Sequence, residues 1–294
     1  MRVLIVGCGY VGFSLAVELS KQGHQVWGLR RTSWTDHFEP LPGLVPLVAD
    51  VTRPRTLTGL PGRYDAVIFS ASATGGGVEE YKQIYLLGVQ NVLEWLSAAP
   101  PGRMVYTSST SVYGQTDGAL VDETSPTQPV AQTARVLVQA ESALISKASA
   151  HGIAPIILRL AGIYGPGRGY WLKQFLQGTA TIEGEGGRVL NMIHRDDAVQ
   201  AVMTALDRGR KGRIYNVVDD EPVTQAVCFQ WLATRLRRDM PPAETEPAAV
   251  ERKRGLTNKR VSNQRLRDEL ACELKYTTFR EGFEQEIRRL GIEV

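Results

Sequence analysis

The fold is decided by RVLIVGCGYVG, residues 2–12. Val3–Val6 are apolar without a break, the pattern of a strand covered on both faces. Gly7, Gly9 and Gly12 follow at G-x-G-x-x-G spacing, and the apolar periodicity then becomes helical from Gly12 to Lys21. A strand, a glycine turn and a helix in that order form the opening of a dinucleotide-binding unit. One glycine makes the turn, the next lets the backbone approach a pyrophosphate, and the third lets helix and strand pack closely. The helix start, at Tyr10 and Val11, supplies N–H donors and partial positive charge to the phosphates. The alternative is a packing turn with no ligand.

Outward from this unit, strands are expected at Arg2–Val6, Gln25–Leu29, Leu44–Val48, Ala66–Ser70, Met104–Thr107, Ala154–Leu158 and Ile214–Val217. Helices are expected at Gly12–Lys21, Val78–Ala98, Val130–Ser149 and Arg195–Arg208. This βαβ alternation predicts an α/β fold, a doubly wound parallel sheet, with a small C-terminal substrate lobe. Residues 1–164 form the dinucleotide-binding domain and residues 190–218 return to it. Residues 165–189 and 219–294, broken by GPGRGY, EGEGG and PPAETEPAA, form the lobe, with helical patterns around Val223–Arg237, Val261–Leu270 and Phe279–Leu290.

Composition narrows the function classes. The 294 residues are 43% hydrophobic and carry 34 Lys+Arg against 31 Asp+Glu, a net +3 too small to imply a nucleic-acid or membrane partner. Cys8, Cys228 and Cys272 are far apart and odd in number, against both a disulfide framework and a metal site. The apolar run at the start is shorter than a signal's, and no run approaches the ~20 residues of a membrane span. The expectation is a soluble, cytoplasmic protein with a small-molecule substrate and no metal. The basic run ERKRGLTNKR, lacking interleaved aromatics, reads as a solvated surface or an anion-binding lip.

Cofactor choice is read about twenty residues past the glycines. There an acidic residue would hold a ribose 2′-hydroxyl, but HQVWGLRR ends in Arg30 and Arg31. Guanidinium groups pair with a 2′-phosphate, which favours NADP over NAD, unless both arginines are simply solvated. Asp50 and Val51 close the third strand, where a carboxylate can reach the adenine amino group or serve as a turn residue. Ser70 and Ala71 end the fourth strand at the same carboxyl edge.

GCGYVG, VYTSSTSVYG, ILRLAGIYGPGR and NMIHRDDAVQAV, in this order, resemble landmarks of the extended short-chain dehydrogenase/reductases, the group that holds the NAD-dependent epimerase/dehydratase enzymes. The resemblance implies a Ser/Thr, a Tyr and a Lys assisted by an Asn. The Tyr would exchange a proton with the substrate and the Lys would lower its pKa. Ser109 carries over, four residues before Tyr113, either orienting the substrate oxygen or capping a turn. The pair does not carry over. Within PTQPVAQTARVLVQAESAL, residues 126–144, Thr133 stands at the tyrosine position and Leu137 at the lysine position. Tyr85 replaces the assisting Asn, Val6 the first glycine, and Leu190 an arginine that holds nucleotide-sugar diphosphates, with Arg188 nearby.

These departures resemble the atypical branch of the superfamily. The expected function is an NADP-linked oxidoreductase or epimerase-like enzyme acting on a small polar metabolite. A catalytically silent NADP-binding sensor or scaffold is the second reading and a nucleotide-sugar epimerase/dehydratase the third. Tyr85 would be the proton donor, or would fill the volume of the lost side chains. Tyr113, Arg168 and Tyr170, with Trp171, are candidates for the substrate pocket. The position of His194 beside Asn191, Asp196 and Asp197 favours a cap over a general base. In relatives the helices at Val78–Ala98 and Val130–Ser149 form a dimer bundle, so the resemblance also implies a homodimer.

Overall fold

The computed structural model describes residues 1–34, 41–244 and 256–292. Most of PPAETEPAA and the first half of ERKRGLTNKR lie outside the described residues. The chain begins with β1 (Arg2–Val6), α1 (Tyr10–Lys21), β2 (Gln25–Arg30), β3 (Leu44–Val48) and β4 (Ala66–Phe69). A continuous helical rod follows: α2 (Val78–Tyr81), a π-helical stretch (Lys82–Gly88) and α3 (Val89–Trp95). Next come β5 (Arg103–Ser109), a 3-10 turn (Thr110–Val112), β6 (Ala119–Val121), α4 (Gln132–Ala150), β7 (Ile156–Leu160), β8 (Gly162–Tyr164) and α5 (Tyr170–Leu176). The chain continues with β9 (Val189–Leu190), β10 (Met192–His194), α6 (Arg195–Arg208), β11 (Ile214–Val217), β12 (Val223–Thr224) and α7 (Gln225–Leu236). It closes with β13 (Lys259–Val261), α8 (Gln264–Leu270) and α9 (Phe279–Arg289).

Seven strands form one parallel sheet in the order β11-β7-β5-β4-β1-β2-β3, the expected doubly wound α/β class. Val3, Leu4, Ile5 and Val6 are completely buried, because helices cover both faces of the sheet. The strand order reverses between β4 and β1, and in such sheets ligands bind beyond the carboxyl ends at that point. β5 runs two residues past its expected end, so Ser109 is its last residue, at that edge. The expected helix Val78–Ala98 is one rod with a π-helical middle, and Tyr85 lies inside the wide turn. Single π turns are rare and concentrate at functional sites.

Apart from the two apolar clusters against the sheet, a third gathers Tyr164, Leu172, Phe175, Phe229, Phe279 and Phe283 from α5, α7, α9 and the short strands. Among the described residues, no helix is long and apolar enough to cross a membrane.

Beneath the carboxyl edge lies a buried polar network. Arg159 on β7 makes a two-pronged ion pair with Glu141 on α4, at 2.7 and 3.1 Å. Ser108 donates to Glu141 at 2.6 Å, Arg159 donates to the Tyr113 hydroxyl at 2.8 Å, and Tyr113 donates to Asn216 at 2.8 Å. Burial opposes the charge on Arg159, but its hydrogen bonds and attraction to Glu141 outweigh that and raise its pKa. The network ties β5, α4, β7 and β11 together. Removing one ion leaves the other buried and uncompensated, which costs about 3–5 kcal/mol, whereas replacing both with apolar groups can be neutral. Arg159→Met is therefore expected to lower unfolding stability in urea by about 3–5 kcal/mol, and pairing it with Glu141→Leu to recover most of the loss.

Candidate functional site

The glycine loop is placed by sterics. Gly7 has φ +92°, and a Cβ there would lie 2.2 Å from the amide nitrogen of Ala71. A Cβ on Gly12 would lie 2.4 Å from the Gly7 carbonyl oxygen. Ser70 Oγ donates to that same carbonyl at 3.0 Å and locks the loop over the end of β4. Gly9 is the opposite case: a Cβ there would meet nothing within 4 Å, so its outer face is open. Gly9 caps α1 without a side-chain acceptor, and the first turn carries no acidic residue. The amides at the start of α1 therefore remain for a ligand anion. This cradle fits a dinucleotide pyrophosphate.

The loop opens into a cleft of about 420 Å³ along the carboxyl edge of the sheet. Gly7, Gly9, Tyr10 and Val11 line it beside Ser70 and Ala71. Arg30, Arg31, Asp50 and Val51 line it too, and Gly12 lies behind the loop as a packing residue. The Arg30 guanidinium lies 5.1 Å from the centre of the Trp34 ring, and the Trp34 indole donates to the Leu47 carbonyl at 3.0 Å. Asp50 serves a turn as well, since its carboxylate accepts from the Thr52 amide and hydroxyl at 2.9 and 2.8 Å. Cys8 also lines the cleft, but burial pushes its thiol up to about 12, so it stays protonated.

Tyr85, Leu137 and Ser109 also line the cleft. The Tyr85 hydroxyl oxygen accepts the Ala73 amide proton at 3.3 Å, and its ring packs 5.0 Å from that of Tyr81. Ser109 Oγ accepts from the Ser111 amide at 3.2 Å, so it caps the 3-10 turn while facing the cleft. A second cavity of about 230 Å³ adjoins at Ser109, Ala161 and Ile163, which line both spaces.

One expectation is corrected by the structure. Tyr113 contacts neither space: it is wholly buried, held by Arg159 and Asn216, because the residues after β5 turn it into the core. Arg168 lines the first cleft rather than the second. Reciprocal backbone bonds between Gly165 and Arg168, at 2.7 and 2.8 Å, fold that loop back over α1. Its guanidinium then lies 5.3 Å from the Tyr10 ring centre, as does that of Arg195. Tyr170 does line the second cavity, largely exposed, with its ring edge-on to Trp171 at 4.8 Å. His194 Nδ1 accepts the Asp196 amide proton at 3.2 Å, and burial lowers its pKa to about 4. It is a neutral helix cap, as its neighbours implied. Asp197 accepts from the Lys275 and Tyr276 amides at 2.6 and 2.9 Å and fastens α6 to the C-terminal segment.

Sequence reasoning missed Lys259. It lines the second cavity, is 4% exposed, and donates from Nζ to the Thr257 hydroxyl at 2.8 Å. Burial, then repulsion by Arg188, lowers its pKa to about 8. Its only signal in the sequence was membership of the basic run ERKRGLTNKR.

The model of the family described as NAD dependent epimerase/dehydratase matches residues 3–218. Protein YeeZ of Escherichia coli K12 is 31% identical over 288 residues, covering 94% of this chain and 96% of its own length. The 3-diazoavenalumate denitrifying reductase of a Streptomyces species is 27% identical over 315 residues, covering 97% of this chain and 100% of its own. The dTDP-glucose 4,6-dehydratase DesIV of Streptomyces venezuelae, solved with NAD bound, superposes with a TM-score of 0.82 at 21% identity. That match covers 98% of this chain and 96% of DesIV and establishes likeness of fold.

The cradle's two kinds of glycine separate binding from folding. Gly9→Ala is expected to keep stability within about 1 kcal/mol of wild type. Its methyl fills the pyrophosphate approach, so dinucleotide affinity should fall by about tenfold or more in fluorescence titration. Gly12→Ala collides with backbone and is expected to lower the melting temperature instead.

Proposed function

This chain belongs to the NAD dependent epimerase/dehydratase family, and we propose that it works as an NADP-linked oxidoreductase or epimerase-like enzyme on a small polar metabolite. One observation carries the reading: Ser109 sits at the junction of the long cleft and the smaller cavity and lines both. A dinucleotide lying from Arg30 and Arg31, across the α1 cradle, toward Ser109 would bring its nicotinamide to that junction. Arg30 and Arg31 are the partners for a 2′-phosphate, and Arg168 adds positive charge near the cradle.

When bound, the nicotinamide supplies or takes the hydride. The chain's own residues hold the substrate oxygen and move the proton. Ser109 Oγ orients the carbonyl oxygen by hydrogen bonding and draws charge onto it. Tyr85, whose hydroxyl is held at the cleft wall by the Ala73 amide, passes the proton to that oxygen in reduction and removes it in oxidation. Leu137, in the relatives' lysine position, lines the cleft without an ionisable group. It keeps water from the reacting end rather than tuning a tyrosine.

Leu137 is also the observation that favours the second reading, an NADP-binding sensor or scaffold. The smaller cavity, at about 230 Å³, lies below the ~300–1,000 Å³ usual for drug-sized ligands. This disfavours a whole nucleotide sugar, although the family includes enzymes acting on such substrates.

Two measurements separate these readings. NADP(H) is expected to bind at least about tenfold more tightly than NAD(H), and Arg30→Ala with Arg31→Ala to abolish the preference. Tighter binding of NAD(H) would refute the arginine argument. With a carbonyl substrate found by screening for NADPH consumption, Tyr85→Phe is expected to lower kcat about 10²-fold or more with cofactor affinity unchanged. Unchanged turnover would remove Tyr85 from the chemistry, and absence of turnover with every carbonyl class would favour the sensor.

A further inference from the structure

The second cavity carries more positive charge than its surroundings balance. Lys259 is almost wholly buried, its Nζ meets one neutral hydroxyl, and among the described residues it makes no ion pair. Arg188 lines the same cavity, with one terminal nitrogen 3.1 Å from both oxygens of Glu183. Arg188 Nε and Ser111 Oγ, on two residues that line the cavity, are buried and have no hydrogen-bond partner. Buried donors left without partners are costly, so an acceptor held by Lys259 at this end of the cavity would meet a region short of acceptors. Tyr164, Trp171, Met192 and Phe283 give the cavity an apolar side, and Thr110, Asn191 and Thr257 line it too.

The backbone under Lys259 is fixed in advance. Asn191 Nδ2 donates to the Lys259 carbonyl at 2.9 Å, and its Oδ1 accepts from the Val261 amide at 2.8 Å. Asn258 Oδ1 accepts from the Val189 amide at 3.0 Å, and β13 pairs in parallel with β6. The ammonium therefore stands on a clamped strand rather than on a free loop.

We propose that Lys259 and Arg188 form a carboxylate subsite, so that the substrate of the Ser109 junction is a small carboxylic acid with a short apolar body. The assignment rests on the oxidoreductase reading for its carbonyl end but concerns binding alone. One uncompensated ammonium suits a monoanion. A phosphate dianion would bring its second charge beside Glu183. Trp171, Met192 and Phe283 take the short chain of the acid, and Ser109, which lines both spaces, meets its reacting end. Among the described residues, the charged groups bearing on Lys259 are Arg188 and, through it, Glu183. With its pKa near 8, the free ammonium loses its proton in mildly alkaline solution, and a bound carboxylate holds that proton on.

The test is a calorimetric titration of the full chain, without nicotinamide cofactor, using butyrate, butyramide and inorganic phosphate as probes. Butyrate is expected to bind and butyramide not to. Lys259→Met should weaken butyrate about tenfold or more, and Lys259→Arg should keep it within about threefold. In the wild type butyrate affinity falls as pH rises through 8, whereas in Lys259→Arg it stays flat, because a guanidinium does not titrate there. If Lys259→Met does not fold, the pH comparison with Lys259→Arg decides alone. Equal binding of butyramide, butyrate affinity unchanged in Lys259→Met, or a pH profile identical in wild type and Lys259→Arg would overturn the proposal. Tighter binding of phosphate than butyrate would overturn it in favour of a phosphate-ester site. A failed cofactor titration would instead sink the oxidoreductase reading and leave this result standing.

Discussion

The backbone of Gly7 lies so close to that of Ala71 that no side chain fits between them. Much else follows from that contact. It joins the end of β1 to the end of β4, the neighbours between which the strand order reverses. It directs the start of α1, uncapped by any side chain, toward the carboxyl edge. Ser70 seals the junction by donating to the Gly7 carbonyl. The cleft exists because two backbones touch at one point and the chain has to diverge on either side.

Across the sheet, α4 contributes Leu137, and no ionisable group, to the lining of the cleft. Leu137 faces the cleft, and the charged group one turn on, Glu141, is turned inward to Arg159. The polar capacity of this region is spent in the core, on a network reaching Ser108, Tyr113 and Asn216. The positions that the resemblance gives to a tyrosine and a lysine are here Thr133 and Leu137. In this account the reacting end draws on Ser109 from β5 and Tyr85 from the π-helical turn, groups on different elements from the usual pair.

Much of this was legible in the residues. The unbroken apolar runs VLIV and AVIF name buried strands, and the glycine spacing after the first names the cradle. Six shorter strands were illegible, because two or three residues hold no periodicity, and their pairing is decided by loops such as the one clamped by Asn191. The π-helical turn was read as ordinary helix, since its side-chain spacing differs from an α-helix by one residue in a single turn. Tyr113 looked like a pocket residue because its motif ends at the ligand edge, but the sequence does not say which way a side chain turns after a strand. Lys259 was hidden for the opposite reason: a lysine among four other basic residues reads as solvated, and only the tertiary fold buries it.

The chemistry at Ser109 depends on the direction in which a dinucleotide lies along the cleft, and a crystal structure of the NADP⁺ complex tests this most directly. It should show the 2′-phosphate between Arg30 and Arg31, the pyrophosphate on the amides that open α1, and nicotinamide C4 facing the space in front of Ser109 Oγ, roughly 3–3.5 Å from where a reacting atom would sit. A nicotinamide pointing away from Ser109, or a 2′-phosphate held by neither arginine, would contradict it.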